Sequence, residues 1–224
     1  MLDFLVIGPH PDDAELGMGG SLARAHAEGR ATGIIDLSRG EAATKGSPEL
    51  RAQEAEAASR ILGLDLRRNM GWPDSRIMDT VDRRLQLARV LREVRPDVVA
   101  APHGNDRHPD HVAAARIVPA AIHLAGLKNS PLDGEPFKPR RFFYYMGNAP
   151  FEASLVIDVS SYMDLWEAAI RCYESQFSGP AASETVSPEV YLRRRGRAAY
   201  WGAFIGVNYG EPLWSPVPIP YSPF

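Results

Sequence analysis

Phe4-Leu5-Val6-Ile7-Gly8-Pro9-His10-Pro11-Asp12-Asp13 decides how this 224-residue chain is read. Phe4 to Gly8 is a short apolar run, the pattern of a strand covered on both faces. Pro9 and Pro11 each fix φ and restrict the residue before them, so the chain leaves the strand through an extended turn. That turn carries one imidazole and two adjacent carboxylates. Ala14-Glu15-Leu16-Gly17-Met18-Gly19-Gly20 follows and leads into a helical pattern over residues 16–28, stopping at Gly29. Residues 32–37 form a second strand. Strand, helix, strand in succession predicts parallel pairing through a right-handed crossover.

The alternation continues. Ser47 before Pro48 places an N-cap ahead of a proline at the first helical position, and that helix runs over residues 51–62 to Gly63. Residues 64–70 form a weaker strand, and Trp72-Pro73-Asp74-Ser75 a loop. Residues 80–94 are an amphipathic helix and 96–101 a fourth strand. That strand runs into Pro102-His103-Gly104-Asn105-Asp106-Arg107-His108-Pro109-Asp110-His111, with a helix over 111–124. The expected class is α/β: a doubly wound, mostly parallel sheet with helices on both faces, in one domain spanning 1–224. Beyond a proline-containing loop at 128–140, strands are expected at 142–146 and 154–159, and a helix at 162–174. A loop at 178–188 and a helix at 189–205 follow. The tail from Pro212, with five prolines, is expected to be extended.

Composition narrows the function classes. A hydrophobic share of 45% and a charged share of 24% are ordinary for a globular protein. The net charge of −3 argues against a general nucleic-acid binder. The single cysteine, Cys172, permits no internal disulfide, which fits a reducing compartment. It sits among apolar residues of a predicted helix, as a core residue rather than a nucleophile. No apolar run is long enough to span a bilayer. Met-Leu-Asp-Phe lacks the basic start of a signal peptide. The expected address is the cytoplasm, with neither membrane nor nucleic acid as partner.

In open α/β sheets, sites form beyond the C-terminal ends of strands. Two such ends here carry His and Asp. His10, Asp13, His108 and His111 are metal-capable, with Asp12 and Asp110 beside them. His10, Asp13 and His111 would make a two-histidine, one-carboxylate set, which suits a catalytic zinc and equally iron(II). Asp12 is then free to act as general base and His108 as an electrophile toward an oxyanion. Taken singly, a histidine at a strand end or an Asp-Asp turn is more often structural. Two matching clusters at two strand ends shift that balance. Gly17-Met18-Gly19-Gly20 fits neither the dinucleotide nor the P-loop spacing, and no Gly-x-Ser-x-Gly elbow is present. Arg193, Arg194, Arg195 and Arg197 read as a solvated helix face rather than an anion-binding patch.

Pro9-His10-Pro11-Asp12-Asp13 with His108-Pro109-Asp110-His111 resembles the LmbE-like, or PIG-L, zinc-dependent N-deacetylases. Ser38-Arg39-Gly40-Glu41, Arg51-Ala52-Gln53-Glu54, Pro73-Asp74 and Tyr173-Glu174-Ser175-Gln176-Phe177 are similar to the branch that deacetylates N-acetylglucosaminyl malate for bacillithiol. The resemblance implies zinc, with iron(II) as an alternative, on His10, Asp13 and His111. It implies Asp12 as general base, and His108 as oxyanion-stabilising group with Asp110 orienting it. Sugar contacts are implied at Glu41, Arg51 and Asp74, and the tyrosine that the family brings to the site is taken here as Tyr191. The substrate implied is a small amino sugar, the fold Rossmann-like, and the assembly a homo-oligomer such as a hexamer.

Overall fold

Leu5, Val6 and Ile7 have no solvent exposure, because the strand they form is covered on both faces. The computed structural model describes residues 1–180 and 187–220. β1 (Phe4–Gly8), α1 (Asp13–Ala27), β2 (Thr32–Ser38), α2 (Pro48–Leu62), β3 (Leu66–Trp72), α3 (Val81–Val94), β4 (Val98–Pro102), α4 (Pro109–Gly126) and β5 (Arg141–Tyr145) alternate without interruption. β6 (Leu155–Asp158), α5 (Met163–Arg171), α6 (Glu174–Phe177), α7 (Val190–Phe204) and β7 (Gly210–Trp214) complete the described chain.

The sheet order is β3-β2-β1-β4-β5-β7-β6. β1 to β5 pair in parallel, and β7 runs antiparallel between β5 and β6. Alternate side chains divide between two cores, as the two-residue strand period requires. Val6, Ile34 and Ala100 pack with Met18, Leu22, Leu62 and Trp166 on the α1, α2 and α5 side. Leu5, Ile7, Ile35, Val99 and Ala101 pack with Leu87, Leu91, Ile117 and Val118 on the α3 and α4 side. Each wholly buried Leu, Ile or Val stabilises the fold by about 1.5–3 kcal/mol relative to leaving it in water. The three-layer α/β architecture is the one expected from the sequence.

Local signals explain the helix ends. Ser47 Oγ accepts from Leu50 N–H at 3.2 Å, and Gly63 closes α2 at φ 66°. Thr80 Oγ1 caps α3 by accepting from Arg83 N–H. Several boundaries shift by two residues, with Trp72 ending β3 and α4 running over Pro109–Gly126, and the helix expected at 162–174 is divided into α5 and α6; two further differences bear on the site and the sheet. α1 begins at Asp13, three residues early, because Asp12 takes a left-handed φ of 116° and its carbonyl accepts from Leu16 N–H at 2.8 Å. The tail from Pro212 is not simply extended: residues 210–214 form β7 within the sheet. Pro212 is tolerated because β5 pairs only with Leu213 and Trp214, so its missing N–H falls where β5 has ended. Of the loop expected at 178–188, residues 181–186 lie outside the described residues, as do 221–224 of the tail. Among the described residues, no helix is long and apolar enough to cross a membrane.

Candidate active site

β1 and β4 are neighbours although about a hundred residues separate them, because the chain winds outward from β1 through β2 and β3, then returns to its other side. The crevice where a winding direction reverses is where open α/β sheets bind ligands. His10 to Asp13 leave β1 at this crevice, and His108 to His111 leave β4 beside them. Asp13 Oδ2 lies 2.9 Å from His10 Nδ1 and 3.2 Å from His111 Nε2. The ligand atoms of His10, Asp13 and His111 fall within 4.8 Å of one another, as do those of a second group, His10, His108 and Asp110.

The far nitrogens of both imidazoles meet carboxylates. His10 Nε2 is 3.1 Å from Asp74 Oδ1 and 3.1 Å from Asp110 Oδ2. His111 Nδ1 is 3.1 Å from Asp106 Oδ2. Carboxylates behind imidazoles are the arrangement that fixes the tautomer and orientation of metal-ligating histidines. Burial alone would neutralise Asp13. The charge of His111 and hydrogen bonds from both imidazoles outweigh it and hold the carboxyl well below its usual range. Burial opposes charge on His111 too, yet Asp13 and Asp106 raise its pKa to about 9. Asp74, Asp106 and Asp110 are likewise held ionised by the imidazoles and by backbone N–H groups. Concentrated negative charge around two imidazoles fits a divalent cation, and the nitrogen and oxygen donors suit zinc or iron(II).

Asp12 stands apart. Burial, with Asp13 adding to it and Arg51 opposing, raises its pKa to about 7. Its Oδ2 accepts from Arg51 Nη2 at 3.1 Å. The same nitrogen also donates to the Pro11 carbonyl. A residue other than glycine at φ 116° is strained, and such residues gather at functional sites. His108 caps α4, its Nδ1 accepting from Asp110 N–H at 3.2 Å. That acceptor role leaves the ring proton on Nε2. Burial and the neighbouring imidazoles keep its pKa low, so the imidazole is neutral, with its one N–H on Nε2.

The structure separates the remaining expectations. Arg51 and Asp74 line the cavity, about 160 Å³, together with His10, Asp12, Asp13, His108 and His111. Glu41 does not line it; it accepts from Asp74 N–H at 2.8 Å and braces that loop. The carboxylate of Asp110 is not on His108: it accepts from Ser75 and Ile77 N–H and faces His10. Only its backbone orients His108. Tyr191 is not brought to the cavity. Its ring stands edge-on to Phe177 and under the Arg171 guanidinium. The arginine helix is not a uniformly solvated face. Arg194 and Arg197, three apart and so on one side of α7, turn inward to carbonyls at residues 146–147, and Arg194 lines the cavity. Asp106, Asn148 and Arg194 went unread as site residues. Asp106 alone had a signal: a carboxylate five residues before His111 in the same post-strand loop.

The profile described as "PIG-L: GlcNAc-PI de-N-acetylase" matches residues 5–122. A diacetylchitobiose deacetylase from Thermococcus kodakarensis is 27% identical over 226 residues, covering 93% of this chain and 81% of that protein. A 1D-myo-inositol 2-acetamido-2-deoxy-alpha-D-glucopyranoside deacetylase from Thermobifida fusca is 25% identical, covering 88% and 78%. Among solved structures, the conserved protein TT1542 from Thermus thermophilus is 53% identical over 100% of this chain and 99% of its own, with a TM-score of 0.94. The matched segment spans β1 to α4 and holds both His-Asp clusters, and on it the chain belongs to the PIG-L, or LmbE-like, family.

Proposed function

We propose that this protein is a metal-dependent hydrolase that removes the N-acetyl group from an N-acetylglucosamine derivative. The observation that carries the reading is the convergence of His10, Asp13 and His111, with Asp12 between two of them and His108 alongside. His10, Asp13 and His111 would hold the cation, zinc in first place and iron(II) as the alternative. Such a cation supplies Lewis acidity toward the acetyl carbonyl and lowers the pKa of water.

The chain's own groups supply the proton transfers. Asp12 accepts a proton from the water that attacks the carbonyl carbon, its carboxylate lying on the wall of the same cavity as His10, Asp13 and His111. Arg51 fixes the orientation of that carboxylate. His108 offers Nε2–H to the carbonyl oxygen as charge develops there. Asp12 then returns its proton to the departing nitrogen as the C–N bond breaks. One amide and one water become one acetate and one amine.

Arg51 and Asp74 are the sugar contacts supported by their place on the cavity wall. Glu41 acts through Asp74. N-acetylglucosaminyl malate is the first-choice substrate, on the similarity of residues 38–41, 51–54 and 173–177 to the bacillithiol branch. Chitooligosaccharides, inositol conjugates and thiol S-conjugates are the alternatives, the first two suggested by the relatives' activities. Tyr200 and Phe204, both more than half exposed on α7, support the homo-oligomer implied by the resemblance, which light scattering on purified protein checks. Acetate release from N-acetylglucosaminyl malate, N-acetylglucosamine, diacetylchitobiose and the inositol glycoside, with zinc or iron(II) supplied, tests the reading. No acetate from any N-acetylated sugar overturns it.

A further inference from the structure

The carboxylate of Asp106 is the most heavily bonded acceptor at the site. Its Oδ1 accepts from His108 N–H at 2.8 Å and from Asn148 Nδ2 at 3.1 Å. Its Oδ2 accepts from Asn148 N–H at 2.8 Å and meets His111 Nδ1 at 3.1 Å. Asn148 thus supplies two of the four contacts, one from its backbone and one from its amide. An amide can turn either its oxygen or its NH2 toward a neighbour. Only the NH2 satisfies Asp106. Arg194 selects that orientation, because its Nη2 donates to Asn148 Oδ1 at 3.2 Å and a guanidinium has no acceptor to offer the other end.

The loop carrying Asn148 is held from the same helix. Gly147 carbonyl accepts from Arg194 Nη1 and from Arg197 Nη1, each at 2.6 Å, and Met146 carbonyl accepts from Arg197 Nη2 at 3.1 Å. Gly147 itself lies so close to Asp106 and the His111 ring that no Cβ fits. α7 is therefore joined to His111 by an unbroken run of hydrogen bonds from Arg194 through Asn148 and Asp106.

We propose that Arg194 and Asn148 are positioning residues for His111: acting through Asp106, they hold its Nε2 toward Asp13 and so set the affinity of the site for a divalent cation. The inference rests on the cation-binding reading of His10, Asp13 and His111. It assigns a task to two arginine-helix contacts that a solvated helix face leaves without one. Partners behind metal-bound imidazoles typically change affinity or activity by about 10–100-fold when removed.

The test uses full-length protein stripped with a chelator. Zinc affinity is read by competition with a chromogenic chelator, and ligand geometry by the visible spectrum of the cobalt(II) form. Denaturation of the stripped protein reports folding separately. Asn148→Ala and Arg194→Ala are expected to weaken zinc binding about 10–100-fold and to change the cobalt spectrum. Arg194→Lys, which keeps a donor but not the fork, is expected to fall between them and the wild type. Arg195→Ala removes contacts to Tyr209 and Glu167 on the outer side of α7, and is expected to leave zinc affinity unchanged. If Arg194→Ala does not fold, Asn148→Ala and Arg194→Lys carry the decision. Variants that bind zinc like the wild type, or an Arg195→Ala that weakens it equally, overturn the proposal. A wild-type chain that binds no cation overturns the reading of the site first, and the two failures are told apart by that measurement alone.

Discussion

Asp12→Asn separates the general-base role proposed for Asp12 from everything else its position does. Asparagine is among the few residues that enter positive φ readily, so the turn at φ 116° is kept. Its amide oxygen can still accept from Arg51 Nη2, which reaches Asp12 at 3.1 Å. What disappears is the ability to take a proton. Losing a positioned general base costs about two to four orders of magnitude, or about 3–5 kcal/mol of transition-state stabilisation. Stability moves the other way. Burial raises the Asp12 pKa from 3.8 to about 7, so the folded chain binds a proton more tightly than the unfolded chain. Stability from this group is therefore full below pH 4 and lost as the pH rises through 7. The loss is about 4 kcal/mol for metal-free protein at pH 8. The asparagine variant escapes it, and stripped Asp12→Asn protein should resist urea better than stripped wild type at pH 8 but not at pH 4. Acetate release, metal content and urea midpoints at the two pH values make the assay. Turnover within tenfold of wild type, with metal bound, would refute the general-base assignment.

Three further outcomes follow from the same structure. Glu211 is buried against Gly20 and Ser21 N–H, and burial raises its pKa from 4.5 to about 7. Because the folded value is the higher one, the wild type should lose about 3 kcal/mol relative to Glu211→Gln as the pH climbs from 4 to 8, measured by denaturation at each pH. Gly147→Ala pushes a methyl group into Asp106 and His111; it should lower zinc stoichiometry, and a variant that still takes up one zinc at wild-type affinity would show that the loop has room to give. Arg67→Met removes a buried guanidinium that bonds Asp36 twice and Glu15 at 2.6 Å. Stranding those carboxylates should cost about 3–5 kcal/mol in chemical denaturation, the scale for breaking one side of a buried ion pair.

Much of the fold was legible because its signals are local. Phe4 to Gly8 gave the buried strand, and Ser47-Pro48 with Gly63 gave both ends of α2. The strand at β7 was not legible. Pro212 argues against a strand unless its N–H side has no neighbour, and that depends on where β5 stops, a fact of the assembled sheet. That His10, Asp12, Asp13, His108 and His111 meet at one cavity was legible because they share two short stretches. Asn148 and Arg194 were not, because what they do depends on a loop and a helix that meet only after folding. Arg194 in sequence is one of four arginines; in the structure the three-residue step to Arg197 turns both inward while Arg193 and Arg195 stay outside.

The two His-Asp stretches also show why this topology suits the site. β1 and β4 are parallel, with Phe4 opposite Val98 and Val6 opposite Ala100, so both strands end at the same edge. Each then turns at once into a helix, α1 from Asp13 and α4 from Pro109. Both helix starts therefore lie at the crevice and carry their carboxylates into it. There Asp13 stays ionised through His111 and His10, and Asp110 through His10 and the Ile77 and Ser75 N–H groups. The sheet supplies coincidence in space, and the imidazoles and loop N–H groups supply the electrostatics. An antiparallel pair would put the two clusters at opposite edges, whatever their sequence.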